Sequence, residues 1–584
     1  MPADPESFDG ARPVRVLLHL LLILALTAPI SAQTANREPL PTQVDRLFAP
    51  WDKPNSPGCA LAILQNGATI YQRGYGTADL EHAAPVSPQT VFQIASTSKQ
   101  FTAMAIILLA QDGKLSLDDP IRRYLPELPP YGAEITVRQA LHHTSGLRNL
   151  FPLYMLAGWR WGDLTTRQNE LDLAFRQHAL NSTPGEEHNY TNTGYFLLAE
   201  IVKRVSGQSF RDFTAARIFQ PLGMTHTLAY DDTGMIIPNR AMAYNAAPEG
   251  YRNNITLFET VGDSNIYTTV EDMARWDENF YQARVGGKEG IAVMERPGTL
   301  NSGEVTEYAA GLNVTHHKGL KMIWHSGVSM YRSEYLRFPD HHFSVICLCN
   351  SAAIDASDLA RRVADLYLGD HEQTAAPTPA PAIDPSAPAK IEQAARAEAV
   401  TLSTAELERF TGAYLLRDAL TIRRVYLSNG HLLLDRGRGI TSEMVPVARD
   451  RFVMLGVPQR VEVTFTGEQP RPQTISFLPP RQKPLVADRV NPDPPSDLHA
   501  YDGKFWTDDV GEVVTIAAHD GKLWLQTKRN VEFELRPVAA DIFTNQWFGK
   551  LTFLRDRQNG ITALTMSNNE VRNLKMEKME SRVR

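Results

Sequence analysis

The segment Ala95-Ser96-Thr97-Ser98-Lys99-Gln100-Phe101 decides how this sequence is interpreted. Apolar residues recur after it at helical spacing, which predicts a helix that begins near Ser98 and is capped by Gly113. Residues i and i+3 share one face of a helix, so the Ser96 hydroxyl would lie beside the Lys99 amine. A serine becomes a nucleophile when a base lies next to it. The alternative is a serine that caps the helix, followed by an exposed lysine.

Two later segments carry polar side chains in similar settings. Tyr190-Thr191-Asn192 lies in a turn-rich loop that leads into a predicted helix at Phe196–Val205, so the tyrosine and the asparagine can face one cleft. The alternative is an ordinary helix-capping loop. His325-Ser326-Gly327 precedes a strand, where the glycine would allow a ligand to approach the backbone. The alternative there is a solvated histidine at a strand end.

Taken together and in this order, the three segments resemble those of the serine β-lactamase and penicillin-binding family. His143-Thr144-Ser145-Gly146-Leu147 and Pro221-Leu222-Gly223-Met224 support the resemblance, which covers about residues 42–368. It is close to class C β-lactamases, D-alanyl-D-alanine carboxypeptidases, D-aminopeptidases and related esterases. The resemblance implies an α+β fold, with an antiparallel sheet flanked by helices and an all-helical subdomain beside it.

The resemblance also implies a role for each residue of the three segments. Ser96 would be the acylated nucleophile, Lys99 and Tyr190 would share the work of the general base, and Asn192 would orient Lys99. His325 would take the position usually held by a lysine. The groups expected to bind the substrate and its oxyanion are the backbone N–H groups of Ser96 and Val328, with Ser326 and Gly327 beside them. Free tyrosine and lysine titrate near 10, so one pKa must fall by about three units, and the sequence leaves open which.

The histidine at position 325 is a departure from the family pattern. An unperturbed histidine is only about a quarter protonated at pH 7, so recognition of a substrate carboxylate should weaken. His325 and two C-terminal β modules resemble the D-aminopeptidases, which need an anion near the substrate amine; the sequence does not identify that carboxylate. Asp263-Ser264-Asn265 and Met330-Tyr331 also stand where the family often has glycine.

The C-terminal third of the chain contains a linker and an internal repeat. Residues 371–400 hold ten alanines and five prolines, with a short helix expected near Lys390–Ala399. Beyond them, Gly430-His431-Leu432-Leu433-Leu434 matches Gly521-Lys522-Leu523-Trp524-Leu525, 91 positions later, as do several further pairs. We therefore predict two related antiparallel β-barrel (lipocalin-like) modules. The predicted domains are a hydrolase domain at 40–370, the linker at 371–400, and modules at 401–482 and 493–580.

The N-terminal residues indicate that the protein is exported from the cytoplasm. Arg12 and Arg15 precede a nearly uninterrupted apolar run of about fifteen residues, too short to span a bilayer comfortably. Small residues follow before Gln33, so residues 1–32 are interpreted as a secretory signal peptide. An uncleaved anchor is the alternative. We expect a periplasmic or secreted protein with no stable membrane span after cleavage.

Composition excludes several classes of function. The 584 residues are 43% hydrophobic and 21% charged, with a net charge of −7, which argues against a nucleic-acid partner. The three cysteines exclude a disulfide framework and a four-cysteine zinc site. We expect Cys347 and Cys349 to be small buried side chains; a link to Cys59 is the less favoured alternative. No His-Glu-x-x-His helix occurs, and no metal or organic cofactor is expected.

The residues and the resemblance together predict a secreted serine hydrolase that acts through an acyl-enzyme on D-amino-acid peptides, amides or esters. A carboxylesterase or weak class C-type β-lactamase is the enzymatic alternative, because the same residues serve all three reactions. A penicillin-binding sensor, or a cell-wall peptide-binding protein without turnover, is the alternative of another class. The sequence leaves the oligomeric state open.

Overall fold

The structure is a computed structural model that describes residues 38–160, 162–255, 257–369, 386–417, 421–436, 440–467, 471–479 and 484–579. The predicted signal peptide and the first part of the predicted linker lie outside these residues. Within the described part of the chain, no helix is long and apolar enough to cross a membrane.

An antiparallel sheet lies at the centre of the first domain. The strands of this domain are β1 (Cys59–Gln65), β2 (Ala68–Tyr75), β3 (Thr77–Asp79), β4 (Ala84–Pro85), β5 (Phe92–Gln93), β6 (Leu228–Ala229), β7 (Tyr244–Ala247), β8 (Gly250–Asn253), β9 (Ile266–Thr268), β10 (Asn313–His317), β11 (Leu320–Val328), β12 (Arg332–Phe338) and β13 (Phe343–Cys349). Six of them form the main sheet, in the order β10-β11-β12-β13-β1-β2. The turn at Asn66-Gly67 joins β1 to β2 in an antiparallel hairpin.

Helices cover both faces of this sheet and form a separate layer beside it. They are α1 (Leu40–Phe48), α2 (Lys99–Gln111), α3 (Val137–Leu141), α4 (Leu150–Leu156), α5 (Arg167–Phe175), α6 (Asn192–Ser206), α7 (Phe210–Thr214), α8 (Gln220–Leu222), α9 (Val270–Gln282), α10 (Gly287–Met294) and α11 (Ala356–Leu368). Two further helices, α12 (Ala387–Glu398) and α13 (Thr404–Glu408), follow this domain and contact strands of the C-terminal region. Helices α3 to α8 lie between β5 and β6 in the chain and form the expected helical part. The predicted α+β fold is therefore confirmed.

Alternating residues of β1 face two different cores. Leu61 and Ile63 pack with α1 and α11 on one face, whereas Ala60 and Ala62 belong to the core on the other face, where α9 contacts β1. This alternation is the period of a strand that is buried on both faces. Helix α2 is buried along almost its whole length, so it is a central core helix and holds its first residue, Lys99, inside the protein.

The cysteine prediction was partly wrong. Cys59 of β1 and Cys349 of β13 pair directly across adjacent strands, with their Cα atoms 4.0 Å apart, and form a disulfide. Cys347 is a free, buried thiol, as expected. The sequence placed Cys347 and Cys349 on one face of a strand, but it could not show that β1 is the neighbouring strand.

The C-terminal region forms two closed antiparallel barrels of eight strands each. The strands of the first are β14 (Gly412–Leu416), β15 (Ile422–Ser428), β16 (His431–Asp435), β17 (Thr441–Pro446), β18 (Arg451–Met454), β19 (Val461–Thr466), β20 (Thr474–Leu478) and β21 (Leu485–Val490). The strands of the second are β22 (Gly503–Thr507), β23 (Glu512–His519), β24 (Lys522–Gln526), β25 (Glu532–Ala539), β26 (Ile542–Asn545), β27 (Gly549–Arg555), β28 (Ile561–Ser567) and β29 (Leu574–Lys578).

The sequence repeat corresponds to a structural repeat. Strands β16 and β24 have bounds that differ by the 91 positions of the repeat, and so do β18 and β26. Strand β21 closes the first barrel and lies beyond residue 482, where the sequence placed the end of this module. The barrel needs this strand because β21 pairs with both β20 and β14.

The second barrel packs against the helical part of the first domain. Arg148 is only 1% exposed and forms an ion pair with Asp509 of this barrel, at 3.1 Å. The backbone N–H of Asn149 donates to the carbonyl oxygen of Glu570, in the turn between β28 and β29, at 2.9 Å. The apolar core of the barrel is continuous with that of the first domain. The turn of residues 568–573 is thereby held against the segments that surround Ser96.

Candidate active site

Ser96 and Lys99 lie side by side at the start of α2. Residues Ala95–Ser98 form a 3-10 helix that runs directly into α2. Side chains three residues apart eclipse one another in a 3-10 helix. The Nζ atom of Lys99 accordingly lies 3.1 Å from the Oγ atom of Ser96. The proximity expected from the sequence is present.

Lys99 is fully buried and held by three oxygen atoms. Besides Ser96, its Nζ atom donates to Oδ1 of Asn192 and to the carbonyl oxygen of Asp263, each at 2.8 Å. Burial lowers the pKa of Lys99 to about 8, although the charges of Asp263 and Glu170 act in the opposite direction. At pH 7 about one lysine in ten would then be neutral.

Tyr190 lies on the other side of the lysine. Nζ of Lys99 is 4.9 Å from the centre of the Tyr190 ring. Burial raises the pKa of Tyr190 well above its usual value, and a hydrogen bond with Ser96 offsets only part of this. His143 holds the segment that contains Tyr190, because its Nδ1 atom accepts the backbone N–H of Thr191 at 3.2 Å. Burial therefore moves the lysine toward its neutral form and the tyrosine away from phenolate.

His325 is a neutral side chain in this structure. Its Nδ1 atom is 2.7 Å from the carbonyl oxygen of Ser326, which can only accept, so Nδ1 carries the proton. Its Nε2 atom then accepts the hydroxyl of Tyr308 at 3.0 Å. Burial, with the nearby charge of Lys99, lowers the pKa of His325 to about 3. The partial positive charge expected from an unperturbed histidine is absent at pH 7.

Gly327 allows strand β11 to lie against the 3-10 helix. A Cβ atom at this position would stand 2.2 Å from the carbonyl oxygen of Ile94 and 2.2 Å from Oγ of Ser333. The hydroxyl of Thr97 also donates to the carbonyl oxygen of His325 at 3.2 Å. This close contact places Val328 and Ser96 on the wall of one cavity. The roles predicted for Ser326 and Gly327 in substrate binding remain predictions, because both lie outside that wall.

The cavity beside Ser96 has a volume of about 350 Å³. Its apolar wall includes Leu150, Phe151, Phe258, Val328 and Met330, and Trp547 of the second barrel joins it. Among the described residues that line it, the charged ones are all acidic: Glu170, Asp263 and Glu570. An apolar cavity with a few acidic groups suits a ligand that carries an apolar group and a positive charge.

Two of these carboxyl groups lie together near Lys99. Burial raises the pKa of Glu170 well above its usual value, and the charge of Asp263 raises it further. Burial also raises the pKa of Asp263, while the charge of Lys99 lowers it. The Oδ1 atom of Asp263 is buried without a hydrogen-bond partner. The Asp263-Ser264-Asn265 segment, whose effect the sequence left unknown, thus supplies an acceptor for Lys99 and an acidic group in the cavity.

The third carboxyl group comes from the second barrel. Oε2 of Glu570 accepts a hydrogen bond from Nδ2 of Asn149 at 3.0 Å. Oδ1 of Asn149 in turn accepts the backbone N–H of Asn192 at 3.3 Å. Burial raises the pKa of Glu570, and its charge is felt at Tyr190. A chain of hydrogen bonds therefore connects the barrel turn to the segment that holds Lys99.

Sequence reasoning missed several residues of this site. Tyr308 lies in the segment before β10, and no motif marks it. Asn149 and Glu570 are 421 positions apart, so only the packing of the second barrel brings them together. A weak signal was available for Asp263, because its segment departs from the glycine pair often seen in the family.

Comparison with known families supports the fold. The sequence profile of the β-lactamase family matches residues 44–369. A domain family of unknown function (DUF3471) matches residues 487–580, which include the second barrel.

Individual proteins of known name are also similar to this chain. Penicillin-binding protein 4* of Bacillus subtilis is 30% identical over 70% of this chain and 90% of its own length. Protein flp of Staphylococcus aureus is 29% identical over 53% of this chain and 62% of its own length. The solved structure of an octameric penicillin-binding protein homologue from Pyrococcus abyssi covers 77% of this chain and 99% of its own, with a TM-score of 0.50 and 24% identity. The chain therefore belongs to the β-lactamase family of serine hydrolases.

Proposed function

We propose that this protein hydrolyses peptides, amides or esters of D-amino acids through an acyl-enzyme on Ser96. The short distance from the Ser96 hydroxyl to the Lys99 amine supports this role for the serine. The lowered pKa of Lys99 makes the neutral amine the better candidate for the base, since the pKa of Tyr190 moves in the opposite direction. The sequence alone left open whether Lys99 or Tyr190 is the base.

In the proposed reaction, neutral Lys99 accepts the proton of Ser96 as Oγ bonds to the substrate carbonyl carbon. By the family resemblance, the backbone N–H groups of Ser96 and Val328 would stabilise the oxyanion. The proton then passes to the leaving amine or alcohol by way of Tyr190, and the carbonyl forms again as the leaving group departs. Water repeats the sequence on the ester of Ser96 and releases the acid.

The neutral state of His325 is the observation that carries the choice of substrate. A lysine at this position would offer a permanent cation to a substrate carboxylate, whereas His325 has both ring nitrogens in hydrogen bonds and a pKa of about 3. The charged groups that line the cavity in the described structure are acidic. Substrates that present a carboxylate here, such as penicillins or D-alanyl-D-alanine peptides, should therefore bind weakly.

The proposed preference for the D configuration rests on the resemblance of the three motif segments to those of the D-aminopeptidases. A carboxylesterase or weak β-lactamase remains the second candidate, because the Ser96 and Lys99 arrangement would serve either. A binding protein without turnover is favoured less, since both Lys99 and Tyr190 are in place.

We also propose that the protein is exported to the periplasm or secreted. The disulfide between Cys59 and Cys349 supports this, because such bonds persist mainly in oxidising compartments. Residues 1–32 resemble a signal peptide. Mass spectrometry of protein recovered from a periplasmic extract would test the cleavage, which we expect before Gln33.

A substrate panel tests the proposed activity. It should compare the p-nitroanilides of D- and L-alanine, a short-chain p-nitrophenyl ester, a chromogenic cephalosporin and a D-alanyl-D-alanine peptide. We expect a fluorophosphonate to label Ser96, and we expect kcat/KM to be highest for a D-amino-acid amide or ester. Labelling of Ser98 instead, or turnover that survives in Ser96→Ala, would contradict the assignment.

A further inference from the structure

We propose that Arg332 forms a subsite for the terminal carboxylate of a dipeptide leaving group, in a second cavity that adjoins the cavity beside Ser96. This inference rests on the proposed function and makes it more specific, because it concerns the part of the substrate that is released. It favours peptides with a free C-terminus over their amides, and tripeptides most directly.

The first step of the argument is the position of Val328 between two cavities. Val328 lines the cavity of about 350 Å³ beside Ser96 and also a second cavity of about 280 Å³. The second cavity lies between the end of β11, the start of β12 and residues 352–357, which lead into α11. Since the backbone N–H of Val328 is expected to bind the oxyanion, the scissile carbonyl would lie at this boundary. The acyl part and the leaving group can then occupy one cavity each.

The second step is the position of Arg332. It lies directly opposite Val328 in the β11–β12 pair, so their Cα atoms are about 5 Å apart and their side chains share one face of the sheet. Arg332 lines the second cavity. One residue of extended chain spans about 3.5 Å and a dipeptide about 7 Å. A carboxylate at the end of a dipeptide therefore reaches past Val328, whereas one on the first residue stays beside the scissile bond.

The third step concerns the hydrogen bonds that Arg332 leaves open. Its Nη1 atom donates to the carbonyl oxygens of Ser329 and Tyr331 and so holds the turn after β11. The described structure shows no hydrogen bond for its Nε or Nη2 atom and no ion pair for this half-buried guanidinium. Free donors on an arginine form a planar fork that matches a carboxylate. A carboxylate ligand would supply the partner that the cation lacks.

The fourth step is the character of the rest of this cavity. Its other charged residue in the described structure is Asp355, whose Oδ1 atom accepts the backbone N–H groups of Ser357 and Asp358 at 3.1 and 2.9 Å. The N-terminus of α11 thus engages the carboxylate of Asp355, while Arg332 remains without an anion. The wall also includes the small or apolar side chains of Ala352, Ala353, Ile354 and Ala356. A short peptide with small residues and a terminal carboxylate fits these features.

The test compares two substrates that differ in their terminal charge alone: D-alanylglycylglycine and its C-terminal amide. We expect wild-type protein to prefer the free acid in kcat/KM. Arg332→Gln keeps a donor for the turn after β11 but removes the charge, so this preference should fall about tenfold or more. Arg332→Lys retains a cation and should keep part of the preference. Arg362→Gln is the matched control, because Arg362 is an exposed arginine on α11 that pairs with Asp358; its preference should stay at the wild-type value.

A second measurement is independent of turnover. D-alanylglycylglycine should protect Ser96 from fluorophosphonate labelling at lower concentrations than its amide does, and Arg332→Gln should remove most of this difference. Equal protection by the two peptides in wild-type protein, or a proportional change for both in Arg332→Gln, would overturn the carboxylate subsite and leave the hydrolase assignment intact. Arg332 would then act only by holding the turn after β11. Failure of Ser96 to react with the fluorophosphonate at all would instead contradict the proposed function.

Discussion

The hydroxyl of Tyr308 lies 3.0 Å from Nε2 of His325, where it donates to the neutral ring. The other ring nitrogen donates to the carbonyl oxygen of Ser326 at 2.7 Å. Both nitrogens are thus satisfied by the neutral ring, and burial together with the charge of Lys99 holds the pKa of His325 low. Position 325 therefore presents no cation to a substrate above about pH 4, which follows from a pKa of about 3.

Replacement of His325 by lysine should restore recognition of a carboxylate. We expect His325→Lys to increase the rate at which a fluorescent penicillin acylates Ser96 by about tenfold, because a charge-assisted hydrogen bond to the penicillin carboxylate becomes available. His325→Gln is the neutral control and should give no increase. Similar rates in the lysine and glutamine variants would show that the charge at this position does not govern penicillin binding.

The pH dependence of the reaction should report the titration of Lys99. Its pKa of about 8 means that the amine is mostly protonated below pH 7 and mostly neutral above pH 9. If the neutral amine is the base, kcat/KM should rise through about pH 8 and then level off. Steady-state kinetics on a D-amino-acid ester between pH 6 and 10 would show this. A profile that is flat between pH 7 and pH 9 would exclude a titrating lysine as the base.

Lys99 and Tyr190 should behave as one unit. Lys99→Ala and Tyr190→Phe should each lower kcat/KM by about 10²–10⁴-fold, the usual contribution of a positioned general base. The double variant should be little worse than the poorer single variant, because each change disables the same proton transfer. Kinetics of all four proteins form the double-mutant cycle. Losses that multiply in the double variant would mean that the two residues act independently.

Gly327 should be intolerant of any side chain. Gly327→Ala places a methyl group 2.2 Å from the carbonyl oxygen of Ile94, so β11 must move away from Ser96. Loss of one oxyanion donor typically lowers kcat by about 10²–10³-fold, and we expect a reduction of this size. Gly162→Ala is the matched control, since no heavy atom of the described structure lies within 4 Å of its added Cβ. Circular dichroism should confirm that both variants fold; unchanged kcat in Gly327→Ala would contradict this account of the strand.

The parts of the site that the sequence predicted are those encoded locally. Ser96 and Lys99 are three residues apart, so helical geometry alone brings them together. The barrels were visible because corresponding residues repeat 91 positions apart. In contrast, the disulfide depends on β1 lying next to β13, and its two cysteines are separated by 290 positions. Long-range pairing of this kind is set by strand order, which no local pattern in the chain specifies.

The sequence also could not show the protonation states of the residues in the site. The type of residue at position 325 was visible, but its protonation depends on burial and on the charge of Lys99 nearby, and both arise only in the folded chain. The same holds for the base: the pKa of Lys99 falls because α2 carries it into the core. The acidic character of the cavity depends in addition on the docking of the second barrel, which contributes Glu570.

That docking leads to the last prediction, which concerns the buried ion pair between Arg148 and Asp509. Arg148 is 1% exposed, so Asp509→Ala would leave its guanidinium buried without this carboxylate. Removal of one partner of a buried pair costs about 3 kcal/mol or more, and we expect weaker docking of the barrel by about this amount. Arg148 also donates to the carbonyl oxygen of Arg572, two residues after Glu570, at 2.9 Å.

The effect of Asp509→Ala should therefore reach the cavity. The ratio of kcat/KM between the p-nitroanilide of D-alanine and the short-chain p-nitrophenyl ester should change, because Glu570 and Trp547 of the barrel line the cavity. The melting temperature should drop, while Ser96 should still react with a fluorophosphonate because the Ser96 and Lys99 pair lies wholly within the first domain. Asp520→Asn removes the charge of an exposed carboxylate from the same barrel, keeps a residue suited to the positive φ of this turn, and serves as the control. If Asp509→Ala lowered the melting temperature but left the substrate preference unchanged, the second barrel would stabilise the first domain without shaping its substrate cavity.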